Sequence, residues 1–229
     1  MIDADDPAAA RAVVRDSLGV GIATGMYGAS FGAVSVAAGL SVPQTCVMSL
    51  LMFTGASQFA MAGVLASGGN PFSAAATALL LGTRNTLYGL RLAPLLAFSW
   101  RRRLASAHVL LDESTAMAVT RDSTRTARLA FYTTGVSIFV LWNAFTLLGA
   151  VAGNAAGDPR DYGLDAAVGA AFLALMWPRL ALRRSQAVGL AAAALALLLV
   201  PVTAAGVPVL AAGGVALLAG LLLPHREQP

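Results

Sequence analysis

Apolar residues fall along this chain in blocks of roughly twenty, each closed by a short cluster of Gly, Pro, Arg or Asp, and the block length sets the first expectation. A helix rises about 1.5 Å per residue, so about 20 apolar residues cross a ~30 Å hydrocarbon core. Blocks of this kind occupy residues 17–40, 43–67, 71–100, 131–153, 166–182, 186–204 and 207–223. They predict an all-α protein, a polytopic membrane helical bundle of about seven spans. A single membrane domain then fills residues 1–229, with 17–98 as a first three-span half, 99–130 as a cytoplasmic connection, 131–204 as a second half and 207–223 as a last span. Phe31-Gly32-Ala33-Val34 and Leu148-Gly149-Ala150-Val151 sit late in the first and fourth blocks. That echo fits a three-plus-three inverted repeat with one C-terminal span added.

Polar residues inside the blocks carry the candidate chemistry. The third block reads ALLLGTRNTLYGLRLAP over residues 78–94, with Arg84 and Asn85 at its middle. An arginine at the centre of a spanning helix costs about 2.5–3.5 kcal/mol, so it persists where it faces protein, water or a ligand. Thr77, Arg84 and Arg91 share one helical stripe, and Tyr88 joins it four residues beyond Arg84. Two readings of Arg84 stand side by side: a structural arginine paired to a carboxylate or carbonyl elsewhere, or a receptor whose planar fork grips an anionic group. In the second block, Thr54-Gly55-Ala56-Ser57-Gln58 places hydroxyls, a glycine and an amide at mid-membrane depth, which predicts a broken helix against protein or a watery cavity. Thr54 and Gln58 fall on one face with Met61; an interhelical hydrogen bond is the competing reading. Gly21, Gly25, Gly28 and Gly32 form a smooth stripe in the first block, read as close helix packing, with Tyr27 beside it. Asn143 is a buried amide of the fourth block that needs a partner.

Composition removes several alternatives. The chain has 229 residues, 58% of them hydrophobic and 11% charged, too little polar surface for a soluble globule. Its 15 basic residues are all arginine, and the net charge of +4 is scattered among apolar blocks, which argues against nucleic-acid binding. Cys46 stands alone, so no intrachain disulfide and no cysteine-based metal cluster is available, and no cofactor is expected. The leader over residues 1–16 is acid-rich and the block after it is too long for a signal h-region, so the first hydrophobic segment is expected to stay. Between residues 105 and 130, His108, Asp112, Glu113, Arg121, Asp122, Arg125 and Arg128 make the one long polar connection. Asp112 there is read as the cap of a solvated helix running through Glu113. The two carboxylates could also couple protons or bind an ammonium group.

Arginine-rich short loops stay cytoplasmic. The connections around Arg101–Arg128 and Arg179–Arg184 are therefore expected inside, the loop carrying Asp158, Asp161 and Asp165 outside, and the C-terminus with Arg226 inside. Three spans before the first inside loop put the N-terminus outside, against Arg11 and Arg15; a break at 82–85 would bring it inside.

With these residues in view, the sequence resembles the large subunit of the branched-chain amino acid exporters, the AzlC family. The resemblance is carried by the glycine-rich first block ending in Phe31-Gly32, by Ser49-Leu50 through Phe53-Thr54-Gly55-Ala56-Ser57-Gln58-Phe59, by Arg84 with Leu87-Tyr88 and Leu92-Ala93-Pro94, by Asp112-Glu113-Ser114 and by Trp142. It departs where the family usually shows an asparagine two before the arginine and a histidine after it; here stand Gly82 and Asn85. The resemblance implies efflux of branched-chain or similar neutral amino acids across the bacterial cytoplasmic membrane, beside a small AzlD-like membrane subunit. Arg84, Gln58, Asn85, Tyr88, Thr54, Tyr27 and Asn143 are then the candidate substrate-binding residues, and Asp112, Glu113 and Arg91 the candidates for coupling or gating. A chain without lysine has no P-loop of its own. A scaffolding subunit and a membrane enzyme remain the other readings; for the latter, His108 and His225 are expected outside the spans.

Overall fold

The computed structural model describes residues 7–155, 173, 177–204 and 206–222. The expected acidic loop with Asp158, Asp161 and Asp165, most of the fifth block and Arg226 lie outside the described residues. In chain order the helices are α1 (Pro7–Met26), α2 (Gly28–Ala37), α3 (Val42–Leu51), α4 (Ala56–Ala66), α5 (Pro71–Leu96), α6 (Trp100–Ala107), α7 (Asp112–Val119) and α8 (Thr124–Ala155). A 3-10 turn over Trp177–Ala181 then leads into α9 (Arg183–Leu199) and α10 (Val207–Leu222). The protein is all-helical among the described residues.

Two rods form the axis. α1 and α2 are nearly continuous, bent at Tyr27, whose N–H donates to Thr24 O at 3.1 Å in the i to i−3 closure of a tightened turn. This rod over Pro7–Ala37 and the helix over Thr124–Ala155 are each long and apolar enough to cross a membrane. The glycine stripe explains their pairing. Gly21, Gly25, Gly28 and Gly32 lie directly on Ser137, Leu141, Trp142 and Thr146 of α8, with no room for a Cβ, and Gly149 and Gly153 of α8 lie in return on Ala29 and Ala33. Partner numbers rise together along both chains, so the rods run parallel. A three-plus-three inverted repeat would make its first and fourth spans antiparallel, so the repeat is not built on these two helices.

The reason lies in the second block. Ser41 opens α3 with a reciprocal cap, its Oγ accepting from Gln44 N–H at 3.3 Å and its own N–H donating to Gln44 Oε1 at 2.8 Å. α3 then runs antiparallel to α8: Ser49 meets Thr146 at 3.4 Å, and Phe53 meets Phe139 with ring centroids 5.1 Å apart. At Gly55 (φ +64) the chain reverses, in a conformation that favours glycine, and α4 climbs back beside Trp142 and Phe31. The broken helix foreseen from Thr54-Gly55 is present, and it is a re-entrant pair of short helices that returns to the end it entered from.

α5 descends antiparallel to α4, continuous through residues 82–85, so the break considered there does not occur. Its C-terminus packs Leu92, Leu96 and Phe98 against Ala127 and Phe131 at the start of α8. From that end the chain makes a second re-entrant pair. α6 rises past Tyr132, whose hydroxyl lies 2.6 Å from Ser106 Oγ, to Val109 against Gly135 and Leu111 against Ile138. α7 then descends to Ala118, packed with Leu96, Ala127 and Phe131. Residues 99–130, expected as a solvated connection, are thus partly buried: Leu111 is 5% exposed and Ser114 0%. His108, expected outside the spans, sits at the tip of this pair against Phe53 and Phe139. The unit of long rod plus re-entrant pair therefore occurs twice with opposite sense, over residues 7–66 and 71–119.

This topology gathers the arginines. The start of α1 (Arg11, Arg15), both ends of the second re-entrant pair (Arg101, Arg102, Arg103, Arg121) and the start of α8 (Arg125, Arg128) share one end of the bundle. Gly206 packs on Ser73 and Gly213 on Leu80, so α10 descends beside α5 and α9 rises, which brings Arg183 and Arg184 to the same end. The apolar core is threaded with small polar residues, and large apolar residues also cover the outside. Ser17, Ser35, Thr45, Ser49, Gln58, Thr77, Thr134 and Thr146 are fully buried, while Phe72, Leu79, Leu87, Leu90, Leu197 and Leu221 face outward. Small polar residues between helices and leucines outside are the pattern of a helical membrane bundle.

Arg128 ties the two layers at the arginine-rich end. Its Nε donates to Leu96 O at 2.7 Å and its Nη2 to Ala97 O at 3.0 Å, closing the carbonyl end of α5, and the guanidinium lies 5.2 Å from the Phe98 ring. Arg128→Ala is expected to cost about 1–2 kcal/mol, since two charge-assisted bonds at a half-exposed site are lost. At this chain length that is a fall of about 2–8 °C in thermal midpoint in detergent.

Candidate functional site

The tips of the two re-entrant pairs meet at mid-height. The first tip, residues 52–55, is held by Gln58, whose Oε1 accepts from Gly55 N–H at 3.0 Å. The second is held in the same way three residues on: Ser114 Oγ accepts from Leu111 N–H at 2.9 Å and donates to Val109 O at 2.8 Å. Each device satisfies an amide at the start of an outgoing helix that no backbone carbonyl reaches. Asp112, read from sequence as a cap, is instead the first residue of α7, because Leu111 holds the extended cap position and Ser114 does the capping. Gln58 is 0% exposed and its Nε2 finds no partner among the described residues. Gln58→Ala removes the acceptor that holds Gly55 and is expected to destabilise the fold by about 1–3 kcal/mol, the cost of an orphaned amide. Loss of thermal midpoint, with the helical circular dichroism unchanged at low temperature, is the readout.

Arg84 joins the tips. From the middle of α5 its Nη2 donates to Thr54 O at 3.4 Å in the first tip, and its Nη1 lies 3.0 Å from Asp112 Oδ2 at the second. Both side chains are about a third exposed, at 28% for Arg84 and 32% for Asp112, and the surface they expose borders a cavity of about 510 Å³. That volume lies within the ~300–1,000 Å³ range of small-molecule sites. Its walls are Ala23 and Thr24 from α1, Tyr27 at the bend into α2, Phe53 to Ala56 and Phe59 around the first tip, Leu81 and Arg84 from α5, Leu111 to Glu113 from the second tip, and Ile138 and Trp142 from α8. The aromatic side is rigid: Phe59 packs edge-on against Tyr27 at 6.0 Å, Phe31 at 5.5 Å and Trp142 at 6.3 Å.

Polar demand at this cavity is incompletely met. Arg84 Nε, Asp112 Oδ1 and Trp142 Nε1 are buried and have no hydrogen-bond partner among the described residues. A buried polar atom without a partner costs about 1–3 kcal/mol, so two donors and one acceptor go unsatisfied among the residues that line the cavity. The N-termini of α4 and α7 also open here, and half-helix starts present partial positive charge. Asp112 and Glu113 answer that charge on α7; the first turn of α4 carries no acid.

Five of the residues singled out from sequence come together on the cavity: Arg84, Thr54, Tyr27, Asp112 and Glu113. Gln58 stands behind the wall as a brace. Asn85 points to the other flank of α5, donates from Nδ2 to Leu110 O at 3.3 Å and lines a second cavity of about 500 Å³. Asn143 donates to Phe139 O of its own helix at 2.8 Å. Tyr88 and Arg91 lie further down α5, beyond the cavity wall, with Arg91 exposed. Phe53, Phe59, Leu111 and Ile138 were not singled out, since apolar residues in apolar blocks carry no signal of their own. Phe53 and Phe59 do bracket the polar run at 54–58, which was the available clue.

An all-helical bundle with buried hydroxyls, a lipid-like exterior and a cavity where two broken helices meet has the architecture of a helical membrane protein. The AzlC protein family is matched over residues 19–156, which hold every wall of the cavity, and the chain belongs to that family. The family is one of membrane proteins associated with branched-chain amino acid transport, acts together with a partner subunit and is not an enzyme family. No curated protein matches the chain, and no solved structure does.

Proposed function

We propose that this chain is the substrate-carrying subunit of a secondary transporter that exports branched-chain or similar neutral amino acids across the cytoplasmic membrane, together with a small AzlD-like membrane partner. The observation that carries the proposal is Arg84 bridging two re-entrant tips at the wall of a largely apolar cavity. A neutral amino acid presents a carboxylate for that guanidinium and an apolar side chain for Tyr27, Phe59, Leu111 and Ile138. Re-entrant pairs entering from opposite ends supply the two-sided access an exporter needs, because loosening either tip opens the cavity toward its own end. Asp112 and Glu113 are the groups placed for coupling or gating. The end that gathers Arg11, Arg15, Arg101, Arg102, Arg103, Arg121, Arg125, Arg128, Arg183 and Arg184 is assigned to the cytoplasm. On this assignment both the start of α1 and the C-terminal end of α10 face inside, and Arg11 and Arg15 obey the rule.

The proposal is tested in cells. Loaded with leucine or valine through dipeptides, cells lacking the gene should accumulate the free amino acid to levels several-fold above cells that express it with its partner. Equal accumulation in the two strains refutes export of these substrates.

A further inference from the structure

We infer that the Arg84–Asp112 ion pair is itself the recognition site for the α-ammonium and α-carboxylate of the substrate, with Asp112 taking the ammonium and Arg84 together with Trp142 taking the carboxylate. The inference rests on the amino-acid reading above and specifies which functional groups that reading requires. Three facts lead to it. The pair is held by one 3.0 Å contact between Nη1 and Oδ2, whereas a structural arginine pair is commonly bidentate. The atoms left over, Arg84 Nε and Asp112 Oδ1, are buried without partners, and both residues line the cavity. Trp142, which lines the same cavity from α8, is only 4% exposed and its Nε1 is a donor in the same unpaired state. Removal of this pair from water is costly unless the remaining valences are filled. A molecule that supplies a cation and an anion on one carbon fills both at once: its ammonium donates to Asp112 Oδ1 and its carboxylate accepts from Arg84 Nε and Trp142 Nε1.

The arrangement excludes two near neighbours of an amino acid. A carboxylic acid without the amino group leaves Asp112 Oδ1 unpaired and puts an uncompensated anion beside that carboxylate. An amine without the carboxylate leaves the donors of Arg84 and Trp142 unpaired, an amide offers them one neutral carbonyl oxygen in place of a charged carboxylate, and either adds an uncompensated cation beside a guanidinium. Sites built to bind a polar group reject an analogue lacking it far more strongly than a pocket rejects a missing methylene.

The test is competition for labelled leucine binding to the purified complex of the chain and its partner in nanodiscs. Unlabelled leucine should displace the label, while 4-methylpentanoate, which lacks the amino group, and leucinamide, which lacks the carboxylate, should each need at least about tenfold higher concentration. In Asp112→Asn the margin between leucine and 4-methylpentanoate should fall to within about threefold. In case that variant leaves Arg84 unpaired and fails to assemble, Trp142→Phe keeps the ion pair and an aromatic ring, removes only the Nε1 donor, and should narrow the margin between leucine and leucinamide. Displacement by 4-methylpentanoate at the same concentration as leucine in the wild-type complex overturns the inference and leaves amino-acid transport standing. Absence of leucine binding altogether overturns the transport reading, and the inference with it.

Discussion

Gly32→Leu is expected to leave almost no assembled protein in the membrane, with Gly28→Leu close behind. Gly32 sits on the Thr146 carbonyl and beside the Ala150 amide, and Gly28 sits on the Trp142 carbonyl, so an added side chain meets backbone that cannot rotate away. Overpacking in a core costs about 1–3 kcal/mol when neighbours can yield. Here the rods would have to separate along their length, taking Phe31 from Trp142. Since total stability is about 5–15 kcal/mol, separation of the rods removes much of it. Gly19→Leu is the control, because nothing stands near that position and the change should leave assembly unaltered. Abundance of the tagged variants after membrane solubilisation, followed by size exclusion, distinguishes the three.

Arg84→Ala is expected to abolish transport while most of the protein remains assembled. Loss of one partner from a fully buried ion pair costs about 3–5 kcal/mol, and loss of an exposed pair about 0–1. Arg84 and Asp112 are each about a third exposed, at 28% and 32%, and border a cavity that water can enter, so the cost falls between these limits. Binding of a carboxylate through charge-assisted bonds is worth about 1.5–3 kcal/mol, so its removal lowers affinity by roughly 10- to 100-fold. Arg84→Lys keeps the charge but loses the fork that reaches Thr54 and Asp112 together, and should retain a small part of the flux. Loss of protein in place of flux would identify Arg84 as a structural tie between the two tips.

How much of this was legible in the sequence can be followed at particular residues. The all-helical class, the glycine stripe and the break at Thr54-Gly55 were readable, since each depends on local composition or spacing. The outcome of that break was not. Residues 43–67 are long enough to cross a bilayer, and whether such a segment continues or doubles back is decided by what its middle packs on, here Phe53 against His108 and Phe139. His108 belongs to a stretch that read as a polar connection, because charges at 101–103, 112–113 and 121–128 leave only short apolar runs between them. One of these runs, Val109 to Leu111, forms the second tip. With both re-entrant pairs in place the direction of α8 follows, and the arginines at 11 and 15, which contradicted a simple span count, fall in with the others. At the site, Arg84 and Asp112 were each visible as expensive charges, one in an apolar block and one in a polar run. Their pairing across 27 intervening positions, and the apolar walls around them, required the fold.

Efflux of labelled leucine from membrane vesicles that contain the chain and its partner is the most direct measurement. Wild-type vesicles should lose the label much faster than vesicles without the chain, and Arg84→Ala vesicles of equal protein content should be indistinguishable from empty ones. Efflux at the wild-type rate from Arg84→Ala vesicles would contradict a substrate site at this arginine.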